Sequence, residues 1–344
     1  MNRAFPGTII VLAAAQLAMA GPAQAGPTSA PTEPSGLAAV RAEARAVAGL
    51  VTSELAKSYL AAADDLPSPT PRKIYRDAAR KYYAAAQREG LSAEERETLT
   101  EIDVDEQLYY MTKYGTPLAY VRPFELLGHA GVREAEGLRI LDFGYGGIGP
   151  LRLLAGLGAD AVGVDVDPFL PALYSLPEDQ GPVANSGGKS GRVTLVDGRW
   201  PKDAVARKAV GGGFDLIVSK NTLKNGYLHP ERPVDKRMLL DLGVSEEAFV
   251  GALYEALKPG GVLMIYNICP APAPPDKPYV PWADGRCPFP RKMLEAAGFT
   301  ILKFDEDDSV EVRRMARAFG WDRGEGGMDL EKDLFAHYTL LRRS

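Results

Sequence analysis

The stretch Leu141-Asp142-Phe143-Gly144-Tyr145-Gly146-Gly147-Ile148-Gly149 decides how this chain is read. It follows the apolar run 139–143, which has the composition of a short buried strand. It precedes residues 150–157, a helical pattern with Pro150 in its first turn and Gly158 past its end. A glycine-rich turn between strand and helix lets a ligand approach the backbone, and the helix amides face that ligand. Gly144-x-Gly146-x-x-Gly149 matches the dinucleotide fingerprint letter for letter. Asp142, however, stands two residues before the first glycine, where a pyrophosphate would meet a like charge. A cationic ligand suits that carboxylate better.

Outward from this stretch the chain alternates strands and helices. Short apolar strands are expected at 161–164, 193–196, 214–219, 262–268, 299–304 and 335–341. Helices are expected at 245–257, with Ser245 as cap and Glu246 and Glu247 in the first turn, and at 292–297. Strands separated by helices predict a doubly wound, mainly parallel sheet. Upstream, residues 37–131 read as helical. A Pro-Ser-Pro-Thr-Pro break covers 67–71. A helix is expected at 73–89 from the spacing of Tyr75, Ala79, Tyr82 and Ala86, and further helices start at Ser92 and Pro117.

Composition excludes several classes. Of 344 residues, 46% are hydrophobic and 25% charged, which is ordinary for a globular chain. With 40 basic and 45 acidic residues the net charge is −5, the wrong sign for a nucleic-acid partner. Two cysteines and three histidines exclude a cysteine-rich zinc module, and the scattered His129, His229 and His337 suggest no metal site. Gly187-Gly188-Lys189-Ser190 resembles the end of a phosphate loop, but Val183 stands where the earlier glycine is required. The acidic run 305–308 reads as a solvated strand end with helix-start character.

Residues 1–25 carry one charge, Arg3, then an apolar stretch at 8–20 and the small-x-small sequence Ala23-Gln24-Ala25. This is the order of a secretory signal peptide cleaved before Gly26. Export to a periplasmic or external compartment is the expectation, with no membrane span after cleavage; a cytoplasmic location follows if the leader reading is wrong. Residues 26–36 read as a flexible linker. In an oxidising compartment Cys269 and Cys287 make one candidate disulfide, unless Cys269 is a buried strand residue pointing away.

The glycine-rich stretch resembles the first motif of the class I S-adenosylmethionine-dependent methyltransferases, an acid-x-Gly-x-Gly matched by Asp142, Gly144 and Gly146. The commonest form has a further glycine where this chain has Ile148. Later matches follow in order: Val162-Gly163-Val164-Asp165, Val196-Asp197-Gly198, Phe214-Asp215-Leu216-Ile217-Val218-Ser219, and the turn Leu257-Lys258-Pro259-Gly260-Gly261-Val262. The resemblance covers roughly residues 114–344. It implies a seven-stranded Rossmann-like domain over 132–344 and S-adenosylmethionine as cofactor. It places Asp165 on the ribose hydroxyls, with Asp167 the alternative, and Asp197 near the adenine amino group. Tyr114 either lies over the methionine end or packs a helix.

For the acceptor, the segment Ser219-Lys220-Asn221-Thr222-Leu223-Lys224-Asn225-Gly226-Tyr227-Leu228-His229 follows a strand end that faces the crevice. His229 is the candidate general base, with Asn221 and Lys220 as further candidate catalytic groups. No Asn-Pro-Pro-Tyr or Asp-Pro-Pro-Tyr motif is present. Tyr279, Trp282 and Asp284, in a proline-rich loop, either line an acceptor pocket or pack on the sheet edge. The expected activity is methyl transfer to a small molecule or a protein side chain. The alternatives are an idle member of the fold with a binding or structural role in the envelope, and a nicotinamide enzyme.

Overall fold

A computed structural model of the chain describes residues 36–324 and 326–344. The leader and almost all of the linker lie outside the described residues; Gly36, the linker's last residue, already opens a helix, Gly36–Val47. A second helix, Glu54–Ala61, is capped by Ser53, whose side chain accepts from the Ala56 amide. Leu37, Val40, Leu55 and Tyr59 from these helices are buried. No helix of the described residues is long and apolar enough to cross a membrane.

The stretch 73–89 corrects the helical reading. It forms strand β1 (Arg72–Arg76), a turn, strand β2 (Tyr82–Ala84) and only then a short helix, Ala85–Glu89. Strand β3 (Thr100–Val104) completes an antiparallel sheet in the order β2-β1-β3. Tyr75 pairs with Tyr83 across β1 and β2, and Ile74 and Ala84 are the buried members. The tyrosines thus sit at helical spacing while obeying strand chemistry, which favours aromatic cross-strand pairs. Asp77 closes the turn, accepting from the Lys81 amide at 2.9 Å and the Tyr83 hydroxyl at 3.0 Å. The expected Ser92 cap is present: its hydroxyl accepts from the Glu95 amide, and Glu95 accepts from the Ser92 amide at 2.9 Å.

The larger sheet holds β4 (Arg139–Phe143), β5 (Asp160–Asp165), β6 (Gly181–Ala184), β7 (Ser190–Asp197), β8 (Phe214–Lys220), β9 (Leu257–Cys269), β10 (Phe299–Asp307) and β11 (Phe335–Arg343). Their order is β10-β11-β9-β8-β4-β5-β7-β6. Strands β7, β5, β4, β8 and β9 run parallel, while β11 is antiparallel to β9 and β10. The sheet has eight strands rather than the expected seven. The additional one is β6, an antiparallel edge hairpin with β7 whose turn contains Gly187-Gly188. The rejected phosphate-loop resemblance is this hairpin turn.

Both faces of the parallel strands are covered, which explains their near-continuous apolar runs. Ile140, Leu216, Val218 and Met264 face the core shared with the N-terminal helices. Leu141, Ile217, Leu263 and Ile265 face the core shared with the helices Ala204–Val210 and Glu246–Ala256. Between β5 and β8, strand β4 is the point from which connections run both ways, and a crevice opens at its C-terminal end.

Buried polar contacts fix the N-terminal region to this sheet. Arg72 donates to both oxygens of Asp179, at 2.5 and 3.0 Å, and the Tyr109 hydroxyl donates to the same carboxylate at 2.9 Å. Asp308 corrects the reading of the acidic run as solvated. It is 5% exposed and receives Arg122 in a bidentate pair. Asp307 does have helix-start character, accepting from the Ser309 amide at 2.8 Å.

Glu125 is the sharpest acid in this region. Burial works to raise its pKa, but hydrogen bonds from the Ser53 and Thr52 hydroxyls and amides overrule it and hold the carboxyl at about 2, below the ordinary 4.5. A carboxyl depressed on folding contributes its stability above the unfolded pKa and loses it as pH falls through the folded one. Glu125→Gln is expected to cost roughly 3 kcal/mol at pH 7. The deficit should shrink between about pH 5 and pH 2. Urea unfolding of both chains across that range checks it; a deficit independent of pH would contradict the assignment.

Candidate active site

The crevice is lined from four directions. The turn after β4 supplies Gly144 to Gly147, and the end of β5 supplies Asp165. The end of β8 supplies Lys220, Asn221 and Thr222, followed by Tyr227. The segment 237–240 and the N-terminal residues Tyr110, Tyr114, Pro117 and Tyr120 close the remaining sides.

Two glycines are required here for stated reasons. Gly144 has φ +76°, and a Cβ there would fall 2.1 Å from Thr222 Oγ1. Gly146 has φ +58°, and a Cβ there would fall 2.9 Å from the Tyr114 ring. Both conditions exclude ordinary side chains, so the turn stays thin where it borders the crevice. The Gly144 amide donates to Val164 O at 2.8 Å, lacing the turn to β5.

Asp165 is half-buried and lines the crevice. One oxygen accepts from the Gly146 amide at 3.1 Å, the other from the Val166 and Asp167 amides at 2.7 and 2.9 Å. Burial raises its pKa against these bonds. Asp167 turns elsewhere, taking the Tyr114 hydroxyl at 2.6 Å and the Lys113 ammonium at 2.6 Å. Tyr114 therefore lies across Gly146 and is anchored beside the β5 end.

Asp142 lies just beneath the lining, 2% exposed. Its Oδ1 accepts from the Tyr120 hydroxyl at 3.2 Å, while Oδ2 is buried without a hydrogen-bond partner among the described residues. Burial pushes its pKa up to about 7, opposed by the Tyr120 hydrogen bond and the charge of Lys220. Lys220 is 8% exposed, its ammonium 5.1 Å from the centre of the Tyr120 ring. Burial brings its pKa down to about 8, with Asp142 pulling the other way.

Asn221 holds a left-handed backbone, φ +63°, which asparagine tolerates better than most residues. Its Oδ1 accepts from the Ile268 amide at 2.7 Å, which fixes the amide's orientation and leaves Nδ2 buried and unpartnered among the described residues. The Tyr227 hydroxyl is likewise buried without a partner.

Three expected residues are absent from this lining, Asp142 just beneath it and Asp197 and His229 beyond it. Asp197 pairs in register with Asp165 but is exposed beyond it. His229 ends the short helix Asn225–Leu228 and points to Pro288 O at 3.1 Å and Glu246 at 3.3 Å. The candidate general base is thus not among the residues that line the crevice. Tyr227, two residues earlier in the quoted segment, and Tyr120, after Pro117, occupy places that the sequence reading did not assign.

The proline-rich loop lies to one side. Tyr279 and Asp284 border a neighbouring hollow with Cys269 and His337, not the glycine-lined crevice. Asp284 accepts from Asn225 Nδ2 at 2.7 Å, and Lys224, 1% exposed, donates to Ile268 O and Trp282 O at 2.5 and 3.3 Å. Cys269 and Cys287 are separate buried thiols, so the candidate disulfide is not formed. Among the described residues no group of side chains has the makings of a metal site.

No protein-family model matches the chain, and no curated protein does. Solved structures that resemble it include the [4+2]-cyclase SpnF, at 19% identity over 64% of this chain and 80% of that one, TM-score 0.36. An S-adenosylmethionine-dependent methyltransferase from Mesorhizobium loti is 17% identical over 65% and 98%, TM-score 0.36. Magnesium protoporphyrin IX methyltransferase from Synechocystis PCC 6803, solved with bound S-adenosylmethionine, is 16% identical over 64% and 74%, TM-score 0.31. The doubly wound architecture stated above rests on this chain's own strand order.

Proposed function

We propose that this chain is an S-adenosylmethionine-dependent methyltransferase whose acceptor enters the crevice from the Lys220–Tyr227 side. The observation that carries the reading is the carboxylate of Asp165 at the end of β5, held beside the thin Gly144–Gly147 turn in one crevice. With three amides already bonded, the carboxylate keeps one acceptor site, on the oxygen that takes the Gly146 amide, for a ribose hydroxyl. The buried Asp142 Oδ2, without a hydrogen bond among the described residues, adds an acceptor that an ammonium group would satisfy. The donor set therefore fits this cofactor, although Asp197 does not reach the lining. When bound, the cofactor supplies an electrophilic methyl group.

The protein's part is positioning, which is sufficient for an in-line displacement by an acceptor that arrives deprotonated. Lys220 and Asn221 face the acceptor. Titrating the chain with S-adenosylmethionine, S-adenosylhomocysteine and NAD in a calorimeter tests the reading. Binding of the first two and not the third is expected. Binding of NAD alone would favour a nicotinamide enzyme, and no binding would favour the idle, structural alternative.

The same proposal places the mature chain outside the cytoplasm, on the signal-peptide pattern of residues 1–25. Intact-mass measurement on protein from its native host is expected to give a chain beginning at Gly26. Recovery of the chain beginning at Met1 in the soluble cytosol would refute export.

A further inference from the structure

We propose that the acceptor is a carboxylate carried on an apolar body, received by Lys220, Asn221 and Tyr227. The carboxylate site stands on geometry alone; its being the methyl acceptor rests on the methyl-transfer reading. Three polar side chains line the β8 end of the crevice, each more than nine-tenths buried: Lys220 at 8% exposure, Asn221 and Tyr227 at 7%. Asn221 Nδ2 and the Tyr227 hydroxyl are buried without a hydrogen bond among the described residues, and the Lys220 ammonium, over the Tyr120 ring, makes none either. Each is a donor: an ammonium, an amide nitrogen and a phenol. Buried polar groups are normally paired, so three donors without a hydrogen bond, on residues lining the same end of the crevice, call for an oxygen acceptor bearing negative charge.

The other groups around this end do not supply that charge. Arg237, the remaining cation of the lining, is held by both oxygens of Asp235 at 3.0 Å. Asp165 stands at the β5 end and is bonded to three amides. Asp142 offsets Lys220 only in part, because burial brings its carboxyl to about 7. A neutral acceptor would leave the buried Lys220 charge only partly compensated, while a phosphate dianion would exceed the one free cation of the described lining. Pro117, Tyr120, Met238, Leu239 and Leu240 line the same crevice, so the body attached to the carboxylate is apolar.

Such an acceptor needs no base. Its carboxylate oxygen forms the O–C bond to the transferred methyl while the C–S bond breaks and its electron pair passes to sulfur. The products are a methyl ester and S-adenosylhomocysteine, and no proton moves. This agrees with the absence of His229 from the lining.

The probes are octanoate and octanamide, titrated into the full chain alone and saturated with S-adenosylhomocysteine. Octanoate is expected to bind at least about tenfold tighter than octanamide, about 1.4 kcal/mol. Lys220→Met should bring the two within about twofold of each other, with S-adenosylhomocysteine affinity held within about twofold. Tyr227→Phe keeps the ring and removes only the hydroxyl. It should weaken octanoate at least about tenfold, as loss of one hydrogen bond to a charged group implies, and it decides the matter if Lys220→Met does not fold. Equal affinity of acid and amide for the unmodified chain would overturn the proposal. So would a variant that loses S-adenosylhomocysteine instead of octanoate, since the three donors would then hold the nucleoside's own aminoacyl carboxylate. Octanoate binding to a chain that ignores S-adenosylhomocysteine would uphold the carboxylate site and refute methyl transfer.

Discussion

Replacing Asp308 by alanine is expected to destabilise the chain by about 3–5 kcal/mol, the usual effect of removing one partner of a buried ion pair. The carboxylate accepts from Arg122 Nε at 2.8 Å, Arg122 Nη2 at 2.6 Å and the Tyr266 hydroxyl at 2.9 Å. Arg122 stands on the helix Val121–His129, Tyr266 on β9, and Asp308 immediately before the helix Ser309–Phe319. One side chain therefore joins the N-terminal region, the sheet and the C-terminal helix. Its loss leaves a guanidinium and a fully buried hydroxyl without their acceptor, and both carry a desolvation penalty. Urea denaturation of the two chains measures the effect. The double replacement Arg122→Met with Asp308→Leu removes charge and partner together and should recover much of the loss, because an apolar pair of similar volume fits a buried site. A single-variant loss below about 1 kcal/mol, the scale of an exposed pair, would mean that this contact is solvated.

The importance of Asp308 was not readable from its neighbours. In the run Asp305-Glu306-Asp307-Asp308 composition points to solvent, and only the approach of Arg122, 186 positions away in sequence, makes the last member a core residue. The parallel strands were legible for the opposite reason. With helices on both faces, residues such as 140–141 and 216–218 must be buried, and their apolar runs announce themselves without tertiary knowledge. Strand β6, Gly-Pro-Val-Ala, has an edge strand's weak composition and depends on β7 for its pairing. At 73–89 two periodicities coincide, because Tyr75 and Tyr82 fall on a helical spacing and yet sit in neighbouring strands of a hairpin.

The same contrast runs through the crevice. Glycine requirements and the acid at a strand end are local properties, so the placement of Gly144, Gly146 and Asp165 at the crevice was legible. Which members of Lys220 to His229 look inward is set by backbone direction. The left-handed turn at Asn221 and the short helix at Asn225–Leu228 send Lys220, Asn221 and Tyr227 to the crevice and His229 to Pro288.

Asp165→Ala is expected to weaken S-adenosylhomocysteine at least about tenfold. Hydrogen bonds from hydroxyls to a carboxylate are charge-assisted, each contributing roughly 1.5–3 kcal/mol, and about 1.4 kcal/mol is one decade of affinity. The carboxylate also holds the Gly146, Val166 and Asp167 amides, so alanine loosens the glycine turn as well as removing the acceptor. Asp165→Asn separates the two effects: it retains one acceptor oxygen and the side-chain shape, and should fall between the parent chain and alanine. Asp197→Ala serves as the contrast. Asp197 sits beside Asp165 in the ladder but is exposed outside the lining, and its removal should change affinity less than about threefold, within the roughly 0.5 kcal/mol usual for surface sites. Calorimetric titration, with thermal unfolding to show that each variant is folded, supplies both readouts. Parent-like affinity in a folded Asp165→Ala chain would remove the ribose assignment. A larger loss at Asp197 than at Asp165 would move the ligand toward β7, to the exposed end of the crevice.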